Sequence, residues 1–314
     1  MKKYVIVTII VTGIVFIQAA ATMNSTTDKE KLGEALFFDP ILSKDSTVSC
    51  ASCHRPEYAF ADTSAVSIGV DGKKGIRNTP TAMNLSLGKS FFWDGRAGTL
   101  EEQALAPIKN PDEMNLAVEE AVHRLKNSKK YRGYFLKVFN IEPDRTNLAV
   151  AIAAFERTLE TSDSPFDNWK FSDDSIAVNA SAKRGFVIFN RKAKCVKCHF
   201  GADFTANEFR NIGLFNGKNL NDSGRYLISK KEEDIGKFKT SSLRNVAITA
   251  PYMHNGMFKT LDDVIDFYND TRKIVPDAIN TDTLLIKPLR LTKKEKYDLK
   301  AFLISLTDKR FKNK

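Results

Sequence analysis

Apolar positions along this 314-residue chain recur mostly at helical spacing, and few segments show the strict alternation of a strand. Leu148, Ile152, Phe155 and Leu159 share one face, and Ala182, Gly185, Phe186 and Phe189 repeat the arrangement. Thr260 can cap a helix on which Leu261, Val264, Ile265 and Tyr268 form an apolar stripe. Thr292 to Glu295 reads as a capping box ahead of a last stripe of Leu299, Phe302, Leu303 and Leu306. The pattern predicts a mainly α-helical protein with little β-sheet. Ser162-Asp163-Ser164-Pro165 reads as the break between two halves. The stretch from Arg55 to Gly98, rich in Gly, Pro and Asn, is too long for an idle connection and is expected to fold over a cofactor.

The first residues follow a different pattern. Lys2 and Lys3 precede an apolar run from Tyr4 to Ile17, and Gln18-Ala19-Ala20-Ala21 offers small residues for signal peptidase. A signal peptide over 1–21 and a periplasmic mature chain are expected; an uncleaved anchor would export the chain as well. The formal net charge is +10, and removing the leader leaves +8. In an exported protein this excess does not point to nucleic acid and favours an acidic partner or an anionic surface.

The chemistry is concentrated in two pentads, Cys50-Ala-Ser-Cys53-His54 and Cys195-Val-Lys-Cys198-His199, which use all four cysteines and two of the four histidines. This spacing is the covalent attachment site of a c-type haem. Two thiols add to the two vinyl groups of one porphyrin, and the adjacent imidazole becomes a ligand of its iron. A tetrahedral zinc cage built from both Cys pairs is the competing reading. It leaves both histidines unexplained, and the pairs are too far apart for a zinc ribbon. Two covalent haem c groups are therefore expected. A further axial ligand on each iron would make an electron carrier, whereas an open position can bind peroxide. His123 lies in a helical surface pattern, and His254 in the turn-like Ala250-Pro251-Tyr252-Met253-His254-Asn255-Gly256 reads as a propionate or network partner. At least one iron is expected to be open.

The chain resembles the bacterial di-haem cytochrome c peroxidases and their MauG-like relatives, the methylamine-utilisation di-haem oxidases. The likeness rests on the two pentads, Ser67-Ile68-Gly69-Val70, Arg77-Asn78-Thr79-Pro80, Phe92-Trp93-Asp94-Gly95-Arg96, Pro107 to Met114, Leu243-Arg244-Asn245-Val246 and Ala250 to Gly256. It implies two cytochrome c-like domains, 22–163 with the peroxide-reducing haem and 164–314 with the electron-transfer haem. Many such peroxidases place a blocking histidine where this chain has Val70, so the N-terminal haem is expected to be open at rest. They usually supply a methionine to the second iron where this chain has Tyr268, as MauG-like proteins do. Tyrosinate ligation should lower that haem's potential. The resemblance assigns proton handling to Glu113 and Gln103 and charge relay to Trp93. Sequence alone allows blander roles, with Gln103 on a helix surface after a Thr99–Glu102 capping box and Glu113 at the third position of a helix begun by Asn110-Pro111.

The resemblance also implies a calcium ion held by Asn78 and the carbonyls of Thr249 and Pro251. The expected enzyme reduces hydrogen peroxide with electrons from a small cytochrome c or cupredoxin. The alternatives are a MauG-like oxidase of a protein substrate and a non-catalytic di-haem carrier. Against maturation of methylamine dehydrogenase, the resemblance implies that the oxidase acting on it carries a tryptophan two residues before the second pentad, where this chain has Ala193. A homodimer is expected only by analogy with the peroxidases.

Overall fold

The computed structural model describes residues 28–311, and the expected leader lies outside them. Helix α1 covers residues 28–38, followed by α2 (Cys50–Cys53), α3 (Leu100–Lys109), α4 (Val118–Asn127), α5 (Lys129–Phe139) and α6 (Arg145–Glu156). After a non-helical stretch carrying Ser162 to Ser164 come α7 (Pro165–Phe171), α8 (Ala180–Asn190), α9 (Tyr226–Ser229), α10 (Leu261–Asn269), α11 (Thr271–Ile274) and α12 (Lys293–Ile304). Sheet among the described residues is limited to strands β1 (Phe209–Arg210) and β2 (Phe238–Lys239), paired antiparallel. The mainly helical architecture agrees with the hydrophobic pattern.

Two apolar clusters organise these elements. One gathers α1, α3, α4, α5 and α6, with Phe311 from the chain's far end added. The other gathers α7, α8, α10 and α12. The stripes read from sequence face these clusters: Leu148, Ile152, Phe155 and Leu159 are buried in the first, and Phe189, Leu299, Phe302 and Leu303 in the second. Local signals set the helix ends. Thr292 with Glu295 forms the expected capping box, and Thr260, expected as a cap, also forms a box with Asp263.

Each cluster is built round a helix crossing at a glycine. A Cβ on Gly33 of α1 would lie 1.9 Å from the Ala151 carbonyl oxygen and 2.9 Å from Phe155 Cβ, both on α6. A Cβ on Gly185 of α8 would lie 1.9 Å from the Asp298 carbonyl oxygen and 2.8 Å from Phe302 Cβ, both on α12. The absent side chain lets two backbones meet, and an aromatic ring fills the space beside them. The two halves repeat one packing solution.

That close approach is testable. Gly185→Ala forces the crossing apart and is expected to cost about 1–3 kcal/mol in denaturant unfolding of the purified holoprotein. Gly133 on the exposed face of α5 has no atom within 4 Å of its added Cβ. Gly133→Ala should therefore stabilise by about 0.5–1 kcal/mol, through helix propensity alone. Equal effects at the two sites would contradict the crossing.

Candidate active site

The two pentads share their histidine hydrogen bonds, although the first is an α-helical turn and the second a 3-10 turn. Cys50–Cys53 form one helical turn and Cys195–Lys197 another, and in each case the histidine N–H donates 2.9 Å to the first cysteine's carbonyl. The ring of His54 is fixed by a 3.0 Å contact from Nδ1 to the Phe60 carbonyl, and that of His199 by a 2.9 Å contact from Nδ1 to the Phe204 carbonyl. A carbonyl can only accept, so Nδ1 carries the proton in both rings and Nε2 keeps its lone pair for a metal. Phe60 and Phe204 reach these positions with φ of 55° and 52°, a left-handed conformation uncommon for a bulky residue. Burial lowers the pKa of both imidazoles, which holds them neutral.

The four cysteines are unpaired with one another. Burial raises the pKa of Cys50 and of Cys195 to about 12, so both are held as neutral thiols. Cys50 packs against the first apolar cluster and Cys195 against the second. No three His, Cys, Asp or Glu side chains gather as a metal cluster among the described residues. A zinc cage shared by the two pairs is thereby excluded. Each pair with its histidine fits a separate haem c.

A cavity of about 560 Å³ opens beside Cys50, Cys53 and His54, within the ~300–1,000 Å³ of small-molecule sites. The irregular 55–98 stretch forms much of its wall, as its composition suggested. Gln103, Glu113 and Trp93 all line it. The second half of the chain adds Asp203, Thr205 and Lys239 to Ser242, so the cavity is closed by both halves. Met83 and Met114 reach the lining too, but both belong to the apolar cluster and are 2 % and 3 % exposed.

Glu113 does not sit in a helix. Asn110 ends α3 instead of starting a new helix, and residues 111–114 form a turn. Asn110 Nδ2 donates 2.7 Å to Glu113 Oε1. The capping role allowed by the sequence is absent, and the carboxylate is free to face the cavity. Burial raises its pKa, while the Asn110 hydrogen bond opposes the shift. Val70 is 1 % exposed, and its N–H donates 2.8 Å to the Glu113 carbonyl, so it braces this turn. The Gln103 Oε1 is buried without a hydrogen-bond partner, as expected of a group directed at a missing occupant. In the turn before it, Thr99 caps α3, but Glu102 accepts from the Gly98 N–H and not from Thr99.

Trp93 lies between the halves. Its Nε1 donates 2.8 Å to the Asn78 carbonyl, and its own carbonyl accepts from the Lys239 N–H at 2.8 Å. The Asn78 N–H donates 2.7 Å to the His254 carbonyl, which places Asn78 beside the segment holding Thr249 and Pro251. Asn78 Nδ2 is used by the Ser64 carbonyl, so Oδ1 is the arm left to accept. Oxygen donors of this kind suit a hard cation. His254 is buried and stacks on Phe238 at 3.7 Å between centroids. Its pKa is lowered to about 4, chiefly by burial, with Arg77 adding to the effect and Asp222 opposing it. His123 is exposed beside Asn127, an ordinary surface side chain.

Tyr268 is placed near the second pentad by α10, which caps at Thr260 and buries Leu261 and Ile265. Burial is the main cause raising its phenol pKa, and Cys198 and Cys195 contribute next. A bound cation would reverse that preference and favour the phenolate.

Sequence reasoning missed Glu156. It is 5 % exposed, lines the same cavity, and its Oε2 has no hydrogen-bond partner. It follows Ile152 by four positions and adjoins Phe155, so the α6 stripe already placed it on the buried face. Burial raises its pKa to about 8; Glu101 adds to the rise and Arg157 opposes it. The folded state therefore keeps a proton that the unfolded chain releases above the ordinary carboxyl pKa near 4.5. Stability on this account is full below about pH 4.5 and declines as pH rises towards 8, by at most about 1.4 kcal/mol per pH unit. Glu156→Gln should remove this decline and gain on the wild type as pH rises, in unfolding curves taken from pH 5 to 8. Parallel curves would contradict a protonated Glu156.

The comparisons with known proteins agree with this geometry. The di-haem cytochrome c peroxidase family matches residues 27–175. The methylamine utilization protein MauG of Methylorubrum extorquens is 39 % identical over 283 residues, spanning 90 % of this chain and 78 % of that protein. The cytochrome c551 peroxidase of Nitrosomonas europaea is 37 % identical over 249 residues, spanning 78 % of this chain and 74 % of that one. Among solved structures, a MauG-like protein associated with microbial copper homeostasis superposes with a TM-score of 0.83 at 32 % identity, covering 90 % of each chain. Long alignments and two haem-attachment sequences with the same histidine hydrogen bonds lead to one conclusion: the chain belongs to the di-haem cytochrome c peroxidase family, oxidoreductases of the peroxidase type with two haem c groups.

Proposed function

We propose that this chain is an exported di-haem c-type peroxidase that reduces hydrogen peroxide in the cavity at His54. Residues 22–163 and 164–314 would each hold one haem, and electrons would enter through the second half. The observation that carries the reading is the meeting of Glu113, Gln103 and the His54 imidazole in one cavity, with both polar side chains turned inward and the Gln103 carbonyl unpartnered. When bound at Cys50, Cys53 and His54, the haem supplies the redox-active iron at which peroxide is reduced.

The protein's part is proton handling and orientation. Reducing peroxide to two waters breaks the O–O bond and takes up two electrons, supplied by the donor, and two protons from outside the substrate; a proton must also pass from one peroxide oxygen to the departing one. Glu113 is suited to this because burial favours its protonated form while Asn110 keeps the carboxyl in one orientation. The Gln103 amide offers a hydrogen-bonding partner that adds no charge to the cavity. His54 directs Nε2 at the metal because the Phe60 carbonyl holds its Nδ1–H. Trp93 is the aromatic ring at the junction of the halves and serves as the path for charge between them. Tyr268 is assigned as the oxygen ligand of the second iron, next to Cys195 and Cys198. Asn78, Thr249 and Pro251 are assigned to calcium, where the cation would tie the Trp93-bearing loop to the second half.

The electron donor of this peroxidase is a small cytochrome c or cupredoxin; the second reading takes electrons from a protein substrate. Similarity to MauG and the tyrosine at position 268 favour the oxidase reading. Ala193 favours the peroxidase, since it is 6 % exposed and has no side chain able to accept an electron from a bound protein.

Three outcomes test the assignment. Glu113→Gln should lower kcat/KM for peroxide by about 10²–10⁴-fold with haem content unchanged, and an unaltered rate would remove Glu113 from proton transfer. Tyr268→Phe should change the absorption spectrum of the C-terminal haem, whereas an identical spectrum would reject ligation by this tyrosine. In stopped-flow mixing, peroxide-treated holoprotein should oxidise a reduced small cytochrome or cupredoxin within turnover time. If no such donor reacts, the oxidase reading replaces the peroxidase one.

A further inference from the structure

Three cationic side chains of Arg or Lys type line the cavity at His54, and two of them are neutralised by the protein. Arg77 pairs with Asp94 at 2.6 Å and with Asp222 at 2.7 Å, and Arg96 pairs with Asp94 at 3.1 Å. Lys239 has no ion-pair partner among the described residues. Its Nζ donates 2.5 Å to the Ser90 carbonyl and lies 5.3 Å from the Phe91 ring centroid. Burial lowers its pKa to about 8, with no neighbouring carboxylate acting in the other direction. An ammonium carries three donors, and leaving it half-buried with one neutral acceptor is unfavourable. The residue is nonetheless held firmly, because its backbone N–H donates 2.8 Å to the Trp93 carbonyl. A lysine fixed in the wall of a cavity without a counter-ion anticipates an anion on the occupant.

The occupant's chemistry supplies one. A haem tethered through its vinyl edge has two propionate carboxylates on the opposite edge, and these are its only ionised groups. Lys239 does not come from the half that holds Cys50 and Cys53. It comes from the wall contributed by the second half, with Thr240 and Ser241. We propose that Lys239 binds a propionate of the haem attached at Cys50 and Cys53, locking the second half of the chain onto that haem and raising its reduction potential. This rests on reading the cavity as a haem site. The potential rises because a fixed cation stabilises the reduced state, which carries one positive charge fewer at the metal. The same lysine, bonded through its backbone to Trp93, would place a propionate next to the aromatic path between the halves.

The test uses purified holoprotein with both haems shown to be attached by peptide mass mapping. Spectroelectrochemical titration of the wild type gives two midpoint potentials. In Lys239→Gln one midpoint should fall while the other stays in place, and Lys239→Arg should restore the lowered value, because a guanidinium also pairs with a carboxylate. Rescue by arginine separates a charge effect from a packing defect. Two unchanged midpoints in Lys239→Gln, or a fall that arginine does not reverse, would overturn the proposal. If mapping finds no haem on Cys50 and Cys53 in the wild type, the haem reading itself fails, and that result is distinct from unchanged potentials.

Discussion

The site depends on one hydrogen bond made twice. Each pentad histidine gives its Nδ1 proton to a phenylalanine carbonyl a few residues downstream, Phe60 for His54 and Phe204 for His199. That bond fixes the tautomer, aims Nε2 and needs a backbone turned into the left-handed region at the acceptor. Holding a bulky residue there carries a cost of about 1–3 kcal/mol. The surrounding core offsets it: Phe60 packs with Phe37 and Phe155, and Phe204 with Phe166, Phe189 and Phe302. The helix crossings at Gly33 and Gly185 bring these rings together. Backbone contact, aromatic packing and metal-ligand orientation therefore form one chain of cause in each half.

The halves differ in what they add to this common frame. In the first, α3 and the turn after it bring Gln103 and Glu113 to the cavity, and Val70 braces the turn from beneath. In the second, α10 carries Tyr268 and packs Leu261 and Ile265 into the same apolar cluster as Cys195. Between them Arg77 bonds Asp94 from its own half and Asp222 from the other, while Trp93 is held by Asn78 and Lys239. These contacts, many of them charged or buried, hold the junction in one register. The charge transfer proposed between the halves would require a fixed gap.

Much of this was legible in the chain. The pentads declare the attachment chemistry, and the stripes on α6, α8, α10 and α12 declare which faces meet. The cap at Thr260 and the capping box at Thr292 mark helix starts because the partners lie within three residues. Local patterns misled at Asn110, where a cap, proline and acid in succession suggested a new helix. The chain instead turns there, because the Asn110 side chain bonds Glu113 and its backbone ends α3. Glu156 was overlooked because charged residues are usually assigned to the outer face, although its spacing from Ile152 argued otherwise. The isolation of Lys239 could not be read at all. It depends on no carboxylate lying near it in space, which is decided by distant parts of the chain.

The central claim is that the iron held by His54 has an open position facing Glu113. Low-temperature electron paramagnetic resonance of the resting ferric holoprotein addresses it most directly. The account predicts one high-spin signal, lost on adding cyanide, beside one low-spin signal from the haem at His199. Two low-spin signals indifferent to cyanide and peroxide would contradict it and leave an electron carrier in place of an enzyme.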